Sequence, residues 1–238
     1  MKNLCLTSIF CICASITPVL AADKVAKAPQ NVCAEFIYEP RLNLTTSYGK
    51  LKYNFEYDQK SLTQMGKQYG LVEKGMLASG LSLIGVDWSV ALNTVSRVAK
   101  DDSVCILPMS LDVYIGFRNP TIYMDKNLKK GSCQYNQTLR HEHHHQEVSV
   151  ATLEHFLPLI RQEIEKNLKK VAPQNIVSLS QSDDVTDEMN EAYIALIAPM
   201  VDRFKATLMH EHQKLDNRQN YDFEHNICKN YQAKQNKK

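Results

Sequence analysis

The chain has 238 residues, of which 44% are hydrophobic and 23% are charged. This composition is typical of a folded protein with a packed core, and it excludes a chain that is disordered throughout. The formal net charge is +2, and the only basic cluster is the tail Lys234, Lys237 and Lys238. Nothing therefore indicates a nucleic-acid-binding protein.

Residues 1–22 have the pattern of a signal peptide. Lys2 gives a short positive start, an uncharged apolar run covers residues 4–20, and Ala21 and Ala22 are small residues suited to cleavage. The run has about 17 residues, which is short for a membrane span. We predict export to the periplasm or the exterior, removal of this segment and no stable membrane insertion afterwards.

The remaining length suits a single domain over residues 23–230, followed by a polar tail at 231–238. Three of the seven cysteines would be lost with the signal peptide. An even number of widely spaced cysteines in an exported chain favours two disulfides, in one of three pairings that the sequence leaves open. The four remaining cysteines are Cys33, Cys105, Cys133 and Cys228.

The first part of the mature chain is predicted to form an antiparallel β section. Apolar and polar side chains alternate over residues 51–57, which indicates a half-buried strand. Residues 36–46 are its expected partner, joined to it by a turn at Tyr48-Gly49-Lys50. Residues 77–98 are apolar enough to be buried, as either a helix or a strand.

The alternation returns over residues 111–117, stops at Arg118-Asn119-Pro120 and resumes over 121–124. This pattern indicates a hairpin or two neighbouring strands. The segment from Thr121 to Leu128 comes just before the first of two predicted helices. We expect it to pair with an extended peptide by strand addition.

Two long helices follow. Apolar residues recur at helical spacing from about Gln134 to Leu168, with Pro158 expected to kink or split the helix, and again from Asp183 to Leu215. We therefore predict an α+β fold, in which an antiparallel β section is followed by two long antiparallel helices.

The first of these helices carries the tract His141-Glu142-His143-His144-His145, which contains the spacing H-E-x-x-H. Because His141 and His145 are one turn apart, both imidazoles can bind one metal ion. Glu142 points about 100° aside and can act as the general base for a water molecule at the metal. The spacing predicts a zinc site; a loose metal-binding histidine cluster and a surface run without a role are the alternatives.

A third ligand is needed. The extended metzincin pattern would require glycine at position 148 and histidine at position 151, but Val148 and Ala151 stand there. A ligand on the later helix is therefore expected, as in gluzincins. If the two helices pack antiparallel, His145 lies opposite residue 209, give or take a turn. Glu211 lies on the apolar stripe of that helix and is our predicted third ligand.

Other residues remain as alternatives or accessories. His212 is the second choice for the third ligand, and His143 and His144 lie off the metal-facing line. Tyr221, His225 and Tyr231 could lean over the site from the C-terminal segment and polarise a scissile carbonyl group. The nearby Cys228 would staple that segment to the body of the protein.

The motif resembles that of the predicted secreted zinc-dependent proteases of the DUF922 type, over roughly residues 105–225. The resemblance is carried by Cys105-Ile106-Leu107, by Leu139-Arg140 with the histidine tract, and by His212 with Leu215-Asp216. It implies that His141 and His145 bind the metal and that Glu142 is the base. The family usually has glycine where His144 stands here. The family usually ends in a Tyr-Asp-x-x-Thr-x-His-Gly motif, which residues 215–221 resemble only in part.

We therefore predict a zinc-dependent metallohydrolase, specifically a peptidase acting on a peptide or protein substrate. The alternatives are a periplasmic metal-binding protein without catalysis and a degenerate zincin fold that serves as an interaction module.

Overall fold

A computed structural model describes residues 32–72 and 75–235, without the side chains of 232, 234 and 235. The predicted signal peptide, residues 1–22, lies outside the described residues. All described residues belong to one compact unit, Asn31–Lys238. The elements, in chain order, are β1 (Arg41–Ser47), β2 (Lys52–Asn54), α1 (Gln59–Gln68), β3 (Gly80–Val98), β4 (Val104–Met124), α2 (Cys133–Asn167), β5 (Gln174–Ile176), α3 (Ser182–Leu215) and α4 (Arg218–Gln235).

The long strand β4 is the centre of a five-stranded sheet. Strand β3 runs antiparallel along one edge of β4, from Gly80 opposite Met124 to Val98 opposite Val104. The other three strands pair with separate stretches of β4 and follow one another along its other edge. The sheet is therefore at most three strands wide among the described residues, and β3 forms one of its outer edges.

The predicted hairpin between residues 36–46 and 51–57 is wrong. Both β1 and β2 run parallel to β4 and do not pair with each other. Ser47 lies opposite Gly116 and Lys52 opposite Thr121, so the offset is the same (116 − 47 = 121 − 52). The two strands are thus one interrupted strand, and the sheet is mixed. Alternating hydrophobicity identifies a half-buried strand but says nothing about its partner.

The second predicted hairpin is also wrong, because β4 continues through Arg118-Asn119-Pro120 as a single strand. Asn119 takes a φ of 44°, and a register shift opposite it, between Leu83 and Gly85, absorbs the irregularity. Residues 121–123 therefore lie between β2 and β3. They have no free edge with which to pair a peptide, in contrast to the prediction.

The α+β fold class and the two long helices are confirmed. Helix α2 begins after its N-cap Ser132 and continues through Pro158 without being split. The two helices are antiparallel: the ring of Phe156 contacts that of Phe204, and the Tyr193 hydroxyl donates a 2.6 Å hydrogen bond to the carbonyl of Leu168, beyond the far end of α2.

The apolar faces of α2 and α3 pack on one face of the sheet and form the main core with it. The buried residues of this core are Ile106, Leu111, Val113, Ile115, Phe117, Leu153, Phe156, Ile160, Ile164, Leu168, Val171, Ile176, Met189, Tyr193, Ile197, Val201, Phe204 and Leu208.

Helix α4 was not predicted. Helix α3 ends at Leu215, and Asn217 then accepts a hydrogen bond from the backbone N–H of Asn220 through its side chain, as an N-cap residue does. Residues 231–235, for which the sequence predicted a polar tail, continue α4.

Two disulfides are present, Cys33–Cys105 and Cys133–Cys228, as the even cysteine number predicted. They fit a protein that folds in an oxidising compartment. Within residues 32–72 and 75–235, no helix has both the length and the apolar character needed to cross a bilayer.

Candidate metal centre

The first half of α2 packs over the start of β3 and buries the motif residues. His141, Glu142 and His145 are only 6%, 5% and 6% exposed. The Ser82 hydroxyl donates a 3.0 Å hydrogen bond to the Glu142 carbonyl and so ties the helix to the strand. At Gly80 a β-carbon would collide with the Glu142 side chain, so glycine is what lets the helix approach this closely.

The structure brings two of the predicted ligands together with a third residue, Asp216. The Nε2 atoms of His141 and His145 are 3.2 Å apart, and they lie 3.1 Å and 3.2 Å from Asp216 Oδ1. A tetrahedral zinc ion with bonds of about 2.0–2.1 Å keeps its ligand atoms about 3.3 Å apart. The three atoms therefore already have nearly the separations that one small cation requires.

Hydrogen bonding alone accounts poorly for this triangle. Asp216 Oδ1 also accepts a 2.6 Å hydrogen bond from the Tyr221 hydroxyl, so three potential donors converge on one oxygen. The two Nε2 atoms also face each other at 3.2 Å. If both carry a hydrogen and donate to Asp216, neither can accept a hydrogen bond from the other. A cation that accepts a lone pair from each atom resolves the crowding. Among the described residues, these three form a group of His, Cys, Asp or Glu side chains able to hold a metal ion.

Asp216 reaches the site because α3 ends beside it. It is the C-cap residue of α3, and its backbone N–H donates to the carbonyl of His212 at 3.1 Å. Beyond it, the side chain of Asn220 donates to the carbonyls of Lys214 and Leu215 and fixes the bend into α4. The carboxylate thus projects from a well-held turn rather than from a helical face.

The structure does not bring Glu211 to this group. Its side chain is 34% exposed and accepts a 2.6 Å hydrogen bond from the Lys214 ammonium group. That hydrogen bond holds the pKa of Glu211 below its usual value. Asp216, about one turn and a half further along the chain, takes the place beside the two histidines that was predicted for Glu211.

His212, the second choice for the third ligand, instead contacts the outer side of His145. The Nδ1 atoms of the two rings are 2.8 Å apart, and His212 Nε2 lies 3.1 Å from the Ser149 hydroxyl. Ser149 in turn donates to the carbonyl of His145. These contacts fix the orientation of the His145 ring, as the outer partners of metal-binding histidines generally do.

Helix α4 supplies the corresponding contacts for His141. Glu224 Oε1 lies 3.3 Å from His141 Nδ1, and the Tyr221 ring packs against the His141 ring with their centroids 5.2 Å apart. Glu224 was not singled out by the sequence. The nearby Tyr221 was, and its hydroxyl is directed at Asp216.

The electrostatic surroundings of His141 favour a cation. Burial lowers the pKa of His141, but its hydrogen bonds with Asp216 and Glu224 outweigh that effect and raise the pKa to about 10. Burial would raise the pKa of Asp216, yet its hydrogen bonds from His141 and His145 hold it well below the usual range. Acidic surroundings that stabilise a proton on imidazole also stabilise a metal ion in its place.

Two further groups are held in one protonation state. Burial and the neighbouring His145 lower the pKa of His212 to about 4, so this ring is neutral at physiological pH. Burial and the carboxylate of Asp216 raise the pKa of Tyr221, which therefore remains a hydrogen-bond donor.

Glu142 lies in the same buried region and is not part of the ligand triangle. Burial raises its pKa, while the charges of His145 and His141 oppose that shift. A carboxylate with a raised pKa beside a metal site is a suitable proton acceptor near neutral pH. The residues present thus fit a metal ion held by two imidazoles and one carboxylate, with a separate acidic group at hand.

The other histidines lie away from the triangle. His143 contacts the Tyr53 hydroxyl through Nε2 at 3.2 Å, and His144 pairs with Glu147 at the surface, so both lie off the metal-facing line. His210 and His225 are exposed.

The site opens into a large groove of about 1510 Å³. The start of β3, residues 80–86, lines this groove, and so do His141, His145 and Asp216. Residues 69–72 and the turn between α3 and α4 complete the lining, and His225 lies at its rim. This volume exceeds the roughly 300–1,000 Å³ of typical small-molecule pockets.

Comparison of the chain with models of known protein families, with curated proteins and with solved structures found no match. The family resemblance seen in the sequence therefore stays a prediction, and it is the geometry of the site that points to a function.

Proposed function

We propose that this protein is an exported, zinc-dependent metallopeptidase. The observation that carries the proposal is the convergence of His141 Nε2, His145 Nε2 and Asp216 Oδ1 at 3.1–3.2 Å, in a buried site that lines a groove. Two imidazoles and a carboxylate are the donor set that catalytic zinc sites of hydrolases commonly use. The DUF922-type resemblance of the sequence supports the same activity.

Zinc bound there would supply Lewis acidity, which polarises a carbonyl group and makes a water molecule acidic near neutral pH. His141, His145 and Asp216 hold the ion. Glu142 accepts the proton of the attacking water and passes it to the leaving amine. In the free protein the Tyr221 hydroxyl donates to Asp216.

The groove suits a polypeptide substrate. Strand β3 hydrogen-bonds to β4 on one side, and within the described part of the chain no strand covers its other edge. Its first residues, 80–86, line the groove, so their free backbone groups are available to an extended peptide. Apolar side chains at Leu71, Leu77 and Met209, all exposed, line the same groove and favour apolar substrate side chains.

We further propose that residues 1–22 are removed on export and that the protein acts in the periplasm or outside the cell. The two disulfides support an oxidising location for the mature chain.

The experiment compares Glu142→Gln with the matched control Glu147→Gln, an exposed glutamate on the same helix. Zinc content is measured by native mass spectrometry, and hydrolysis is followed with a mixture of fluorogenic peptides. We expect one zinc ion in all three proteins, turnover in the wild type and the control, and none in Glu142→Gln. Unchanged hydrolysis by Glu142→Gln would refute the role of Glu142.

The same data separate the alternatives. One bound zinc without hydrolysis of any peptide would favour a metal-binding protein. Absence of bound metal would favour an interaction module that has kept the shape of a metallopeptidase. Several weakly bound ions that survive His141→Ala would favour a loose histidine cluster.

A further inference from the structure

Helix α4 reaches the metal site with almost no apolar anchorage of its own. Among its described side chains, Cys228 is the buried one; Tyr221 and Ile227 are half-buried, and Phe223 and Tyr231 are 65% and 54% exposed. The helix packs mainly against α2. A helix of this length without a buried apolar face is marginally stable in water by itself. Something other than hydrophobic burial must therefore hold α4 in place.

The polar contacts of α4 are concentrated on the metal ligands. Glu224 lies 3.3 Å from His141 Nδ1, and the Tyr221 hydroxyl donates to Asp216 Oδ1 at 2.6 Å. Both contacts lie near the start of the helix. Two hydrogen bonds to charged groups do not by themselves hold 18 residues against the entropy of a free chain end.

The covalent anchor is the Cys133–Cys228 disulfide. Cys133 is the first residue of α2, about 12 Å along the helix from His141 at 1.5 Å per residue. Cys228 lies one turn beyond Glu224 on α4, and its side chain is buried. The disulfide thus joins the helix that carries two of the ligands to the helix that supports them.

We propose that the Cys133–Cys228 disulfide holds α4 as a strap across the metal site, and that Glu224 and Tyr221 are positioning residues whose effect depends on it. Glu224 orients the His141 ring, and Tyr221 orients the Asp216 carboxylate. This inference rests on the proposed metal site. Without the disulfide, α4 detaches, both outer contacts are lost and metal affinity falls.

The first test needs no metal. Hydrogen–deuterium exchange is measured on the metal-free protein for the wild type, for Cys133→Ser/Cys228→Ser and for the control Cys33→Ser/Cys105→Ser. The control removes a disulfide that joins residues 72 apart, at the opposite end of β4 from the site. We expect amides of α4 to exchange at least about tenfold faster in the first variant and at the wild-type rate in the control. Unchanged protection of α4 in the first variant would overturn the strap.

The second test measures zinc dissociation constants by competition with a chromophoric chelator. Cys133→Ser/Cys228→Ser and Glu224→Ala should bind zinc about 10–100-fold more weakly than the wild type, the usual effect of losing an outer partner of a ligand. Glu224→Gln keeps a hydrogen-bond acceptor for His141 Nδ1 and should recover most of the affinity. Because Glu224→Ala and Glu224→Gln keep both disulfides, they test the positioning role even if the double serine variant does not fold.

The visible absorption spectrum of Co²⁺ bound in place of zinc adds a readout of ligand geometry. It should change in Glu224→Ala and resemble the wild type in Glu224→Gln. Wild-type affinity and spectrum in Glu224→Ala would overturn the positioning role. If no protein bound zinc or Co²⁺, the proposed metal site would fail, and the exchange experiment would still decide whether the disulfide holds α4.

Discussion

Replacing Asp216 by alanine should remove one of three metal ligands while leaving both histidines in place. The Asp216 carboxylate lies 3.1–3.2 Å from the Nε2 atoms of His141 and His145, and within the described residues no other carboxylate completes this group. The variant should therefore bind zinc much more weakly. Glu211→Ala is the matched control, because Glu211 is the ligand that the sequence predicted and it pairs with Lys214 at the surface.

The size of the effect follows from the number of ligands. Sites with four protein ligands bind zinc with a free energy of about 10–16 kcal/mol, which corresponds to about 2.5–4 kcal/mol for each ligand. Since about 1.4 kcal/mol corresponds to a factor of ten, Asp216→Ala should weaken zinc binding by about 10²–10³-fold. An exposed ion pair contributes about 0–1 kcal/mol to stability and nothing to the metal, so Glu211→Ala should bind zinc within about twofold of the wild type.

The assay is a chelator competition titration on metal-free protein, with zinc stoichiometry from native mass spectrometry. Thermal unfolding of each metal-free variant checks that Asp216→Ala is folded before its affinity is interpreted. Normal zinc affinity in Asp216→Ala together with weak binding in Glu211→Ala would show that Glu211, and not Asp216, is the third ligand. Normal affinity in both would assign the third ligand to another group.

Two further predictions concern the surroundings of the site and the core. Gly80→Ala places a β-carbon against the buried Glu142 side chain, whereas the β-carbon of Gly85→Ala meets no atom within 4 Å. Gly80→Ala should therefore lower the free energy of unfolding by about 1–3 kcal/mol and reduce turnover, and Gly85→Ala should change neither. Urea unfolding and peptide hydrolysis measure the two effects. Tyr193→Phe removes the donor to the Leu168 carbonyl and should cost about 1–2 kcal/mol in the same unfolding assay. Because burial raises the pKa of Tyr193 from 10 to about 12, its contribution is present below pH 10 and is lost as the pH rises through 12. Between about pH 9 and about pH 11 the urea midpoint should therefore fall more for the wild type than for Tyr193→Phe, and equal falls would contradict the assignment.

The helices were predictable because their signals are local. The apolar period of α2 and α3 gave their type and approximate bounds, and the antiparallel pairing placed His145 opposite residue 209, give or take a turn. The structure pairs His145 with His212, within that tolerance. The packing of two helices depends on the apolar stripe of each one, so the sequence contains most of the information needed to predict it.

The pairing of the strands was not predictable in the same way. The alternation over residues 51–57 and 111–117 is real, but a strand that is buried on one face can be parallel or antiparallel to its neighbour. The chain resolves the choice through β4, a 21-residue strand that pairs one edge with the neighbouring β3 and the other with strands such as β1 that are distant in sequence. Neither Pro120 nor Asn119 ended that strand, because a bulge accommodates them.

Asp216, the third member of the candidate metal group, is a residue that helical periodicity could not identify. The buried positions of α3 run through Tyr193, Ile197 and Val201 and on to Leu208, and the line continues to His212 rather than to Glu211. Met200, which lies on the same line of the helix as Glu211, is only half buried.

Asp216 lies beyond the last helical residue, where the angle per residue no longer determines the direction of a side chain. What fixes it is the turn capped by Asn217 and Asn220, and those two asparagines were the sequence signal for a helix end and a new start. A carboxylate immediately before such a turn is free to point towards the two histidines that α2 has buried against β3. The break in the helix is therefore what completes the candidate metal group, and the same break begins the helix that contacts His141 from the other side.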